Sequence, residues 1–465
     1  MNYNKLYIDG KWQMPDSDEL IQVENPANKE IIGSVVAANE ADVNKAVAAA
    51  KKALPTWRKL PLEKRIEYVD KLLLQLRNRE EDMVETIVKE LGAPKDFARN
   101  THFISYLEEI EDLIDLVKDY QFKEEHEGFT VVKEAVGVVG ALTPWNYPFG
   151  QIAKKLAPAL LSGSTIVLKP SQKTPLVAHI LAEVIDEIDL PAGVFNLVSG
   201  RGSDVGNPLA KHPDVNLISF TGSTKGGREV GKLAVADVKR MVLELGGKSP
   251  AILLKDADYK LAIKTVLDDI YYNTGQSCSA LSRLLVHKDD KEKVEKMIID
   301  MTKDYTFGDP QTNVMVGPLS SKQQFDKVKK YIELGKKEAK LLLGEVPQES
   351  EGYYVNPVVF TDVDNTSTIA QDEIFGPVLC IITYEDEEDA IRIANETKYG
   401  LSSAVFGEKK KALQLADKIK AGEVYINGAS ARNNTAFGGY KHSGFGREGG
   451  KYGFEEYLEI KTIYK

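Results

Sequence analysis

The sequence predicts an α/β fold, because short apolar runs alternate with longer stretches that carry helix signals. The runs GVVGAL, STIVLK, VFNLV and LISFT, from residue 137 onward, are rich in β-branched residues or phenylalanine and have the length of buried strands. Between them, Thr174 and Pro175 are suited to the cap and first position of a helix through Leu176–Ile188. This alternation predicts a parallel sheet with helices on both faces, a Rossmann-like architecture.

The segment before residue 137 is predicted to be mainly helical after a short strand-like start. Apolar residues recur at helical spacing from Val43 to Leu54, where Pro55 is expected to end the helix. Pro61 is expected to open a second helix, and a third is expected to end at Gly92.

A second α/β region is predicted from about Ser249 to about Asn427, with a helix from about Asp258 to near Asn273. Phe129–Val136 and Tyr457–Tyr464 alternate polar and apolar residues, as edge strands do. The stretch 438–453 is rich in glycine and is predicted to be an irregular loop.

Length and composition exclude several classes of protein. A chain of 465 residues predicts two or three domains, and the net charge of −10 gives no reason to expect nucleic acid or an anionic membrane as a partner. Two cysteines make neither a disulfide framework nor a cysteine-rich zinc site, so we expect no metal. With no signal-like N-terminus and no apolar stretch long enough to span a bilayer, a cytoplasmic protein is expected.

Four short motifs carry residues suited to covalent chemistry. Cys278 lies among small polar residues in TGQSCS, unlike Cys380, which lies in an apolar strand. Glu244 ends an apolar strand, where it is either a salt-bridged strand residue or a general base of raised pKa. Asn146 in PWNYPF is either a turn residue or an oxyanion donor. FTGSTKGG follows a strand and is expected to open a helix whose N–H groups meet a pyrophosphate.

Together these motifs resemble the aldehyde dehydrogenase superfamily. PWNYPF, LKPS, FTGST, LELGGKSP, GQSCS, EIFGPV and FGGYKHSGFGREGG occur in the family's order over nearly the whole chain. The resemblance implies NAD(P)-dependent oxidation of an aldehyde to its acid through a thiohemiacetal and a thioester on Cys278. Asn146 would hold the oxyanion with the help of Lys155, and Glu244 would activate the hydrolytic water. Such covalent catalysis divides a difficult reaction into two easier steps.

The resemblance also implies two sets of binding residues. The NAD or NADP set is Thr143, Trp145, Lys169, Ser171, Gln172, Gly202, Gly222, Ser223, Gly246, Glu373 and Phe375. The substrate set is Tyr147, Gln151, Lys154, Ser277, Ser279 and Phe437.

Two positions depart from familiar members of the family. Strictly NAD-dependent members often carry a glutamate where this chain has Gln172, so we predict that NADP is tolerated. Lys154 stands where a tunnel tryptophan is expected, with Arg432 in a nearby loop. We hypothesise a polar or acidic aldehyde, such as a semialdehyde; the alternative is that Lys154 turns outward.

Two other functions fit the same fold. Aldehyde dehydrogenases that transfer the acyl group to CoA tend to lack a base at the position of Glu244, so its presence favours hydrolysis. A non-enzymatic binding protein on this fold is disfavoured by the intact set of Cys278, Glu244 and Asn146.

The resemblance implies three parts: a cofactor domain (1–117 and 137–245), a catalytic domain (246–445) and an oligomerisation β-flap (118–136 and 446–465). Pairing through the flap would give a homodimer or a homotetramer.

Overall fold

A computed structural model describes the whole chain, residues 1 to 465. Its strands, in chain order, are β1 (Asn2–Tyr3), β2 (Leu6–Ile8), β3 (Lys11–Gln13), β4 (Leu20–Glu24), β5 (Ile31–Val36), β6 (Lys123–His126), β7 (Phe129–Ala135), β8 (Val138–Leu142), β9 (Thr165–Lys169), β10 (Phe195–Leu197), β11 (Leu217–Thr221), β12 (Arg240–Glu244), β13 (Pro250–Leu253), β14 (Arg283–His287), β15 (Lys340–Leu343), β16 (Val358–Thr361), β17 (Val378–Tyr384), β18 (Ala404–Phe406), β19 (Tyr425–Ile426), β20 (Gly444–Phe445) and β21 (Leu458–Tyr464).

The α-helices, in chain order, are α1 (Glu40–Trp57), α2 (Leu62–Asn78), α3 (Glu80–Leu91), α4 (Lys95–Phe97), α5 (Ser105–Lys118), α6 (Pro148–Ser162), α7 (Leu176–Glu187), α8 (Asn207–Lys211), α9 (Thr224–Val235), α10 (Tyr259–Tyr271), α11 (Lys291–Thr302), α12 (Lys322–Glu338), α13 (Thr368–Gln371), α14 (Glu387–Asn395), α15 (Lys409–Ala416) and α16 (Gly450–Glu455). No helix is both long and apolar enough to cross a membrane.

The first large sheet confirms the predicted α/β class. Its strand order is β20-β12-β11-β8-β9-β10-β2-β3, and the five strands from β12 to β10 are parallel. Alternate residues of β9 pack into different cores: Ile166 and Leu168 face the cluster that contains α2, α6 and α7, whereas Val167 faces the cluster that contains α1 and α8. Strands buried on both faces in this way read as continuous apolar runs.

The second large sheet has the order β15-β16-β17-β14-β13-β18-β19. All neighbours in it are parallel except β15, which pairs antiparallel with β16 at the edge. Its two faces are covered by separate apolar clusters, so this region also has helices on both sides of a buried sheet.

Two small sheets complete the fold. β1, β5 and β4 form one near the N-terminus, and β21, β7 and β6 form the other. The two predicted edge strands form and pair with each other over their full length, from Leu458 opposite Ala135 to Tyr464 opposite Phe129. Of these two strands β21 lies at an edge of the sheet, whereas β7 is the central strand between β21 and β6. Ile460 and Tyr464 on β21 are exposed.

The sequence predicts a loop for the glycine-rich stretch 438–453, but the structure has a strand and the start of a helix within it. β20 (Gly444–Phe445) pairs with β12 in the first sheet, and α16 begins at Gly450. Gly444 has φ +122°, and a Cβ there would lie 1.7 Å from the Leu243 carbonyl oxygen. The glycines therefore permit an unusually close approach of this segment to the end of β12.

The predicted end of α1 and the predicted cap at the start of α7 are wrong. Pro55 does not end α1, which continues to Trp57. Thr174 does not cap α7, because its hydroxyl donates to the Trp145 carbonyl oxygen. The Leu176 and Val177 N–H groups instead donate to the buried carboxylate of Glu90, at 2.8 and 3.2 Å. A distant side chain thus satisfies donors that usually take a local cap.

Arg283, the first residue of β14, joins the second sheet to the end of α14. Its fully buried guanidinium donates to the carbonyl oxygens of Lys248, Ile393 and Ala394 and to Asn365 Oδ1, each at 2.9 Å. Since Ile393 and Ala394 lie in the last turn of α14, the cation also meets the negative end of that helix.

Replacing Arg283 by methionine should lower the free energy of unfolding by about 3 kcal/mol or more, because it leaves buried carbonyl oxygens without donors. Urea denaturation measures this change. Arg392→Met, on the exposed face of α14, is the matched control and should lower the free energy of unfolding by less than about 1 kcal/mol. Equal denaturation midpoints for the two variants would contradict this role of Arg283.

Candidate active site

The two large sheets meet at the edge where the predicted site residues collect. The carboxyl ends of five neighbouring parallel strands lead into residues 143–146 (after β8), 169–172 (β9), 198–202 (β10), 222–223 (β11) and 245–246 (β12). Residues 247–249, 278 and 373–375 precede β13, β14 and β17 of the second sheet. Ligands of open α/β sheets bind at such carboxyl edges.

Two cavities open at this junction, and Cys278 lines both. The first, of about 140 Å³, is called the edge cavity here; its lining includes Trp145, Asn146, Gly222, Ser223, Glu244, Gly246, Glu373 and Phe375. The second, of about 290 Å³, is called the vestibule; its lining includes Tyr147, Gln151, Lys154, Ser277, Ser279 and Phe437. The predicted nucleophile thus lies between a cavity lined by predicted cofactor residues and one lined by predicted substrate residues.

The turn before Cys278 is held in a rare backbone conformation. Asn273, Thr274 and Gly275 have φ of +51°, +56° and +69°. The Thr274 hydroxyl lies 2.9 Å from the Gly317 carbonyl oxygen, which fixes a conformation that a threonine otherwise avoids. At Gly275 a Cβ would come within 2.2 Å of the Gly376 carbonyl oxygen, so this position requires glycine. Tertiary contacts therefore fix the approach to the nucleophile.

The Asn146 side chain is oriented by this same turn. Its Nδ2 donates to the Gln276 carbonyl oxygen at 3.0 Å, and Asn273 Nδ2 donates to the Asn146 and Gln276 carbonyl oxygens at 2.9 and 3.2 Å. A side-chain amide has two N–H donors. The second N–H of Asn146 therefore remains for an oxygen bound beside Cys278.

Lys155 makes no hydrogen bond to Asn146, contrary to the supporting role that the family resemblance implied. Its Nζ donates to Thr221 Oγ1 at 2.7 Å and pairs with Glu448 Oε1 at 2.5 Å, with both charged side chains buried. A buried cation and anion in contact compensate for much of the cost of removing each from water. Lys155 thus anchors the Glu448 segment beside the site.

Glu244 ends β12 with an unpaired carboxylate. The residue is 1% exposed, and neither carboxylate oxygen has a hydrogen-bond partner. Burial, and then the nearby charge of Glu448, raises the pKa of Glu244 well above its usual range. Gly438 leaves room for this carboxylate, because a Cβ there would lie 2.5 Å from Glu244 Oε1. An unpaired carboxylate of raised pKa beside a cavity is suited to accept a proton.

The two cysteines differ as the sequence indicated. Cys380 is fully buried in β17, where its thiol contacts the Ile369 carbonyl oxygen at 3.4 Å. Cys278 is half-buried and reaches both cavities. Burial, then the charges of Glu373 and Glu244, raises the pKa of the Cys278 thiol. The neutral thiol is therefore the resting form.

Close backbone approaches shape the floor of the edge cavity. A Cβ at Gly247 would lie 2.2 Å from the Cys278 carbonyl oxygen, and one at Gly246 would lie 2.5 Å from Glu373 Oε2. The Gly247 N–H donates to Glu373 Oε1 at 3.1 Å. The GlyGly pair after Glu244 thus lets the end of β12 touch both the nucleophile loop and the Glu373 loop.

Phe375 is held in a strained backbone conformation above this cavity. Its φ is +64°, and its ring meets Trp145 edge to face at 5.4 Å. Gln324 Nε2 donates to the Phe375 and Ile374 carbonyl oxygens at 2.7 and 3.2 Å, which stabilises the conformation.

Gln324, Lys327 and Thr221 also line the edge cavity, and sequence reasoning missed all three. Gln324 and Lys327 lie on α12, whose sequence reads as an ordinary polar surface helix.

Five predicted cofactor residues lie outside the edge cavity: Thr143, Lys169, Ser171, Gln172 and Gly202. All five follow β8, β9 or β10 on the same edge of the first sheet. Burial lowers the pKa of Lys169 to about 8, and Gln172 is exposed. At the other end of this row α9 begins within FTGSTKGG, as predicted, and Ser223 caps it by accepting a hydrogen bond from the Gly226 N–H.

Lys154 lines the vestibule and does not turn outward, but its charge is already paired. Its Nζ lies 2.7 Å from Glu109 Oε1, and both side chains are mostly buried. The ammonium also lies over the rings of Tyr106 and Phe437, at 5.8 and 5.6 Å from their centroids. No group of three or more His, Cys, Asp or Glu side chains is arranged to hold a metal ion.

The raised thiol pKa predicts how Cys278 reacts with iodoacetamide in the protein without added ligands. Because the thiolate is the reactive form, the alkylation rate should rise with pH and show no plateau below pH 9. Mass spectrometry of the labelled peptides measures this rate, with buried Cys380 as the internal control that stays unmodified. A plateau near pH 7 would show that the thiol is acidic and would contradict the prediction.

Several known proteins are similar to this chain over nearly its whole length. A putative aldehyde dehydrogenase of Staphylococcus saprophyticus is 45% identical over 468 residues, covering 99% of this chain and 98% of that protein. The crystal structure of a cysteine-to-alanine mutant of aldehyde dehydrogenase C from Pseudomonas syringae, with NAD+ and octanal, matches with a TM-score of 0.98 and 40% identity over 99% of this chain and 96% of that one. The Mycobacterium tuberculosis aldehyde dehydrogenase with NAD+ matches with a TM-score of 0.97 and 37% identity over 100% and 98% of the two chains.

The model of the aldehyde dehydrogenase family matches residues 12–463. With this match and relatives of such identity and coverage, the protein belongs to the aldehyde dehydrogenase family, whose members are oxidoreductases that act on aldehydes.

Proposed function

We propose that the protein oxidises an aldehyde to its carboxylic acid with NAD or NADP, through a thioester on Cys278 that water hydrolyses. The observation that carries this proposal is the position of Cys278 between the two cavities, with Asn146 and Glu244 lining one of them. A covalent nucleophile, an oxyanion donor and a base thus lie around one reaction centre.

In the first step the Cys278 thiol loses its proton to solvent, and the resulting thiolate attacks the aldehyde carbon. A bond forms between Sγ and the carbon, and the carbonyl oxygen takes up the negative charge. The free N–H of Asn146 and the backbone N–H of Cys278 stabilise that oxygen. Loss of hydride from the same carbon then leaves the thioester.

The edge cavity and the adjoining sheet edge fit a dinucleotide. The N-terminus of α9, which Ser223 caps, offers the backbone N–H groups of its first turn to a pyrophosphate, whereas the Gly222 N–H already donates to the Glu244 carbonyl oxygen. Lys169 would bind the adenosine ribose, while Glu373 and Phe375 would hold the nicotinamide ribose and ring. When bound, the nicotinamide dinucleotide accepts the hydride. NAD+ in the related Pseudomonas and Mycobacterium structures supports this assignment.

Glu244 completes the reaction as the base that activates water. Its unpaired carboxylate takes a proton from the water, whose oxygen attacks the thioester carbon and releases the acid from Cys278. The same carboxylate supports hydrolysis over transfer to CoA, because water needs a base whereas CoA brings its own thiol. Addition of CoA should therefore not increase turnover.

Pre-steady-state kinetics with the Glu244→Gln variant test this proposal. The variant should give a burst of reduced cofactor equal to the enzyme concentration, followed by a steady state at least about 100-fold slower than wild type, since only deacylation needs the base. Cys278→Ala should give neither burst nor turnover, whereas Cys380→Ala should behave as wild type. Turnover by the Cys278→Ala protein would refute the covalent mechanism.

The cofactor preference is proposed to depend on position 172, because Gln172 has no charge to repel a 2′-phosphate. The neighbouring Lys173 is engaged elsewhere, with its Nζ 3.0 Å from Ser321 Oγ and over the Trp145 ring. The preference for NAD in kcat/KM should therefore be below about a thousandfold, equivalent to roughly 4 kcal/mol.

Gln172→Glu should lower kcat/KM for NADP at least about tenfold more than for NAD, because the new carboxylate repels the 2′-phosphate. Gln172→Ala is the matched control, since it removes the amide without adding charge. Equal losses in the two variants would show that charge at this position does not select the cofactor.

The sheet β6-β7-β21 is proposed as the oligomerisation flap. β21 leaves one edge unpaired, with exposed Ile460 and Tyr464 beside it. An open apolar edge of this kind is suited to pair with a second copy of the chain.

A further inference from the structure

The vestibule contains buried hydrogen-bond acceptors that no group of the protein satisfies. Four acidic or basic side chains line the vestibule: Glu109, Lys154, Glu423 and Arg432. Glu109 and Lys154 form the ion pair described above, and Arg432 is exposed and makes no ion pair. Glu423 is therefore the one carboxylate of the vestibule that forms no ion pair.

The Glu423 carboxylate has an oxygen without a partner. Its Oε2 is inaccessible to solvent and accepts no hydrogen bond. Burial raises the pKa of Glu423, whereas a hydrogen bond from the Tyr425 hydroxyl to this carboxylate and the charge of Lys154 oppose that rise. A buried acceptor left without a donor destabilises the protein, and a bound donor would remove that cost.

Gln151 supplies a second, independent observation. The residue is 6% exposed, it borders both cavities beside Cys278, and its Oε1 has no partner either. No unpaired buried donor lines the vestibule. Although the Gln151 amide can rotate, the Glu423 carboxylate only accepts hydrogen bonds while it is ionised.

We infer that the substrate is a short aldehyde that carries a hydrogen-bond donor, an ammonium or a hydroxyl group, and that Glu423 recognises this donor. The inference rests on the proposed function and names its substrate class. It replaces the acidic aldehyde expected from Lys154, because a substrate carboxylate beside Lys154 would also meet Glu109 and Glu423. Buried like charges repel one another strongly.

Tyr106, Tyr147, Tyr425 and Phe437 also line the vestibule, and Lys154 already lies over two of these rings. Aromatic faces attract a cation and tolerate the carbon chain of an aldehyde. Among donors, an ammonium group therefore gains more than a hydroxyl, since it also meets the Glu423 charge.

The test compares kcat/KM for butanal, 3-hydroxypropanal and 3-aminopropanal, which have the same number of heavy atoms, and for succinic semialdehyde. We expect 3-aminopropanal to exceed butanal at least tenfold, 3-hydroxypropanal to lie between them, and succinic semialdehyde to be the poorest. An equal gain for hydroxyl and ammonium would still support donor recognition, with charge adding nothing. Butanal or succinic semialdehyde as the best substrate would overturn the inference.

Glu423→Gln should lower the ratio of kcat/KM between 3-aminopropanal and butanal at least tenfold, mainly through KM. Glu388→Gln, an exposed carboxylate on α14, is the control and should keep that ratio. An unchanged ratio in Glu423→Gln would overturn the role of Glu423; if that variant does not fold, the wild-type series decides. If the enzyme oxidises aldehydes through Cys278 but shows no preference for a donor group, only this inference is refuted. If it oxidises no aldehyde at all, the proposed function is refuted as well.

Discussion

The site depends on one constraint, the clamp of three amide groups that joins the two large sheets. The Asn273 side-chain amide donates to the carbonyl oxygens of Asn146 and Gln276, and the Asn146 side-chain amide also donates to the Gln276 carbonyl oxygen. Asn146 follows a strand of the first sheet, whereas Gln276 belongs to the turn that precedes the second sheet's β14. These bonds fix the loop of Cys278, the proposed nucleophile, against Asn146, the proposed oxyanion donor, which is the preorganisation that electrostatic catalysis requires.

Charge is distributed unevenly around this clamp. Lys155 with Glu448 and Lys154 with Glu109 are buried ion pairs, whereas Glu244 and Glu423 line the cavities and form no ion pair. The paired ions position segments of the chain, and the two carboxylates without ion pairs belong to residues that line the cavities. In the proposed mechanism this difference separates structural carboxylates from those that handle protons or recognise donors.

Local sequence was sufficient for the fold class and for many of the residues that line the two cavities, because strand ends and short motifs report local structure. It could not reveal partners that are distant in the chain. Glu90 caps α7 from a separate helix, and Glu109 neutralises Lys154 from α5. Gln324 on α12 looks like any polar surface residue until the fold brings it under Phe375. The sequence therefore placed Lys154 in the vestibule but could not show that Glu109 pairs with its charge.

The most direct test of the central claim is intact-protein and peptide mass spectrometry of Glu244→Gln enzyme quenched after one turnover with aldehyde and NAD+. The account predicts an acyl group, heavier than the free thiol by the mass of the aldehyde minus two hydrogens, on the peptide that contains Cys278 and on no other. An unmodified Cys278 peptide during a full burst of reduced cofactor, or acylation of Cys380, would contradict it.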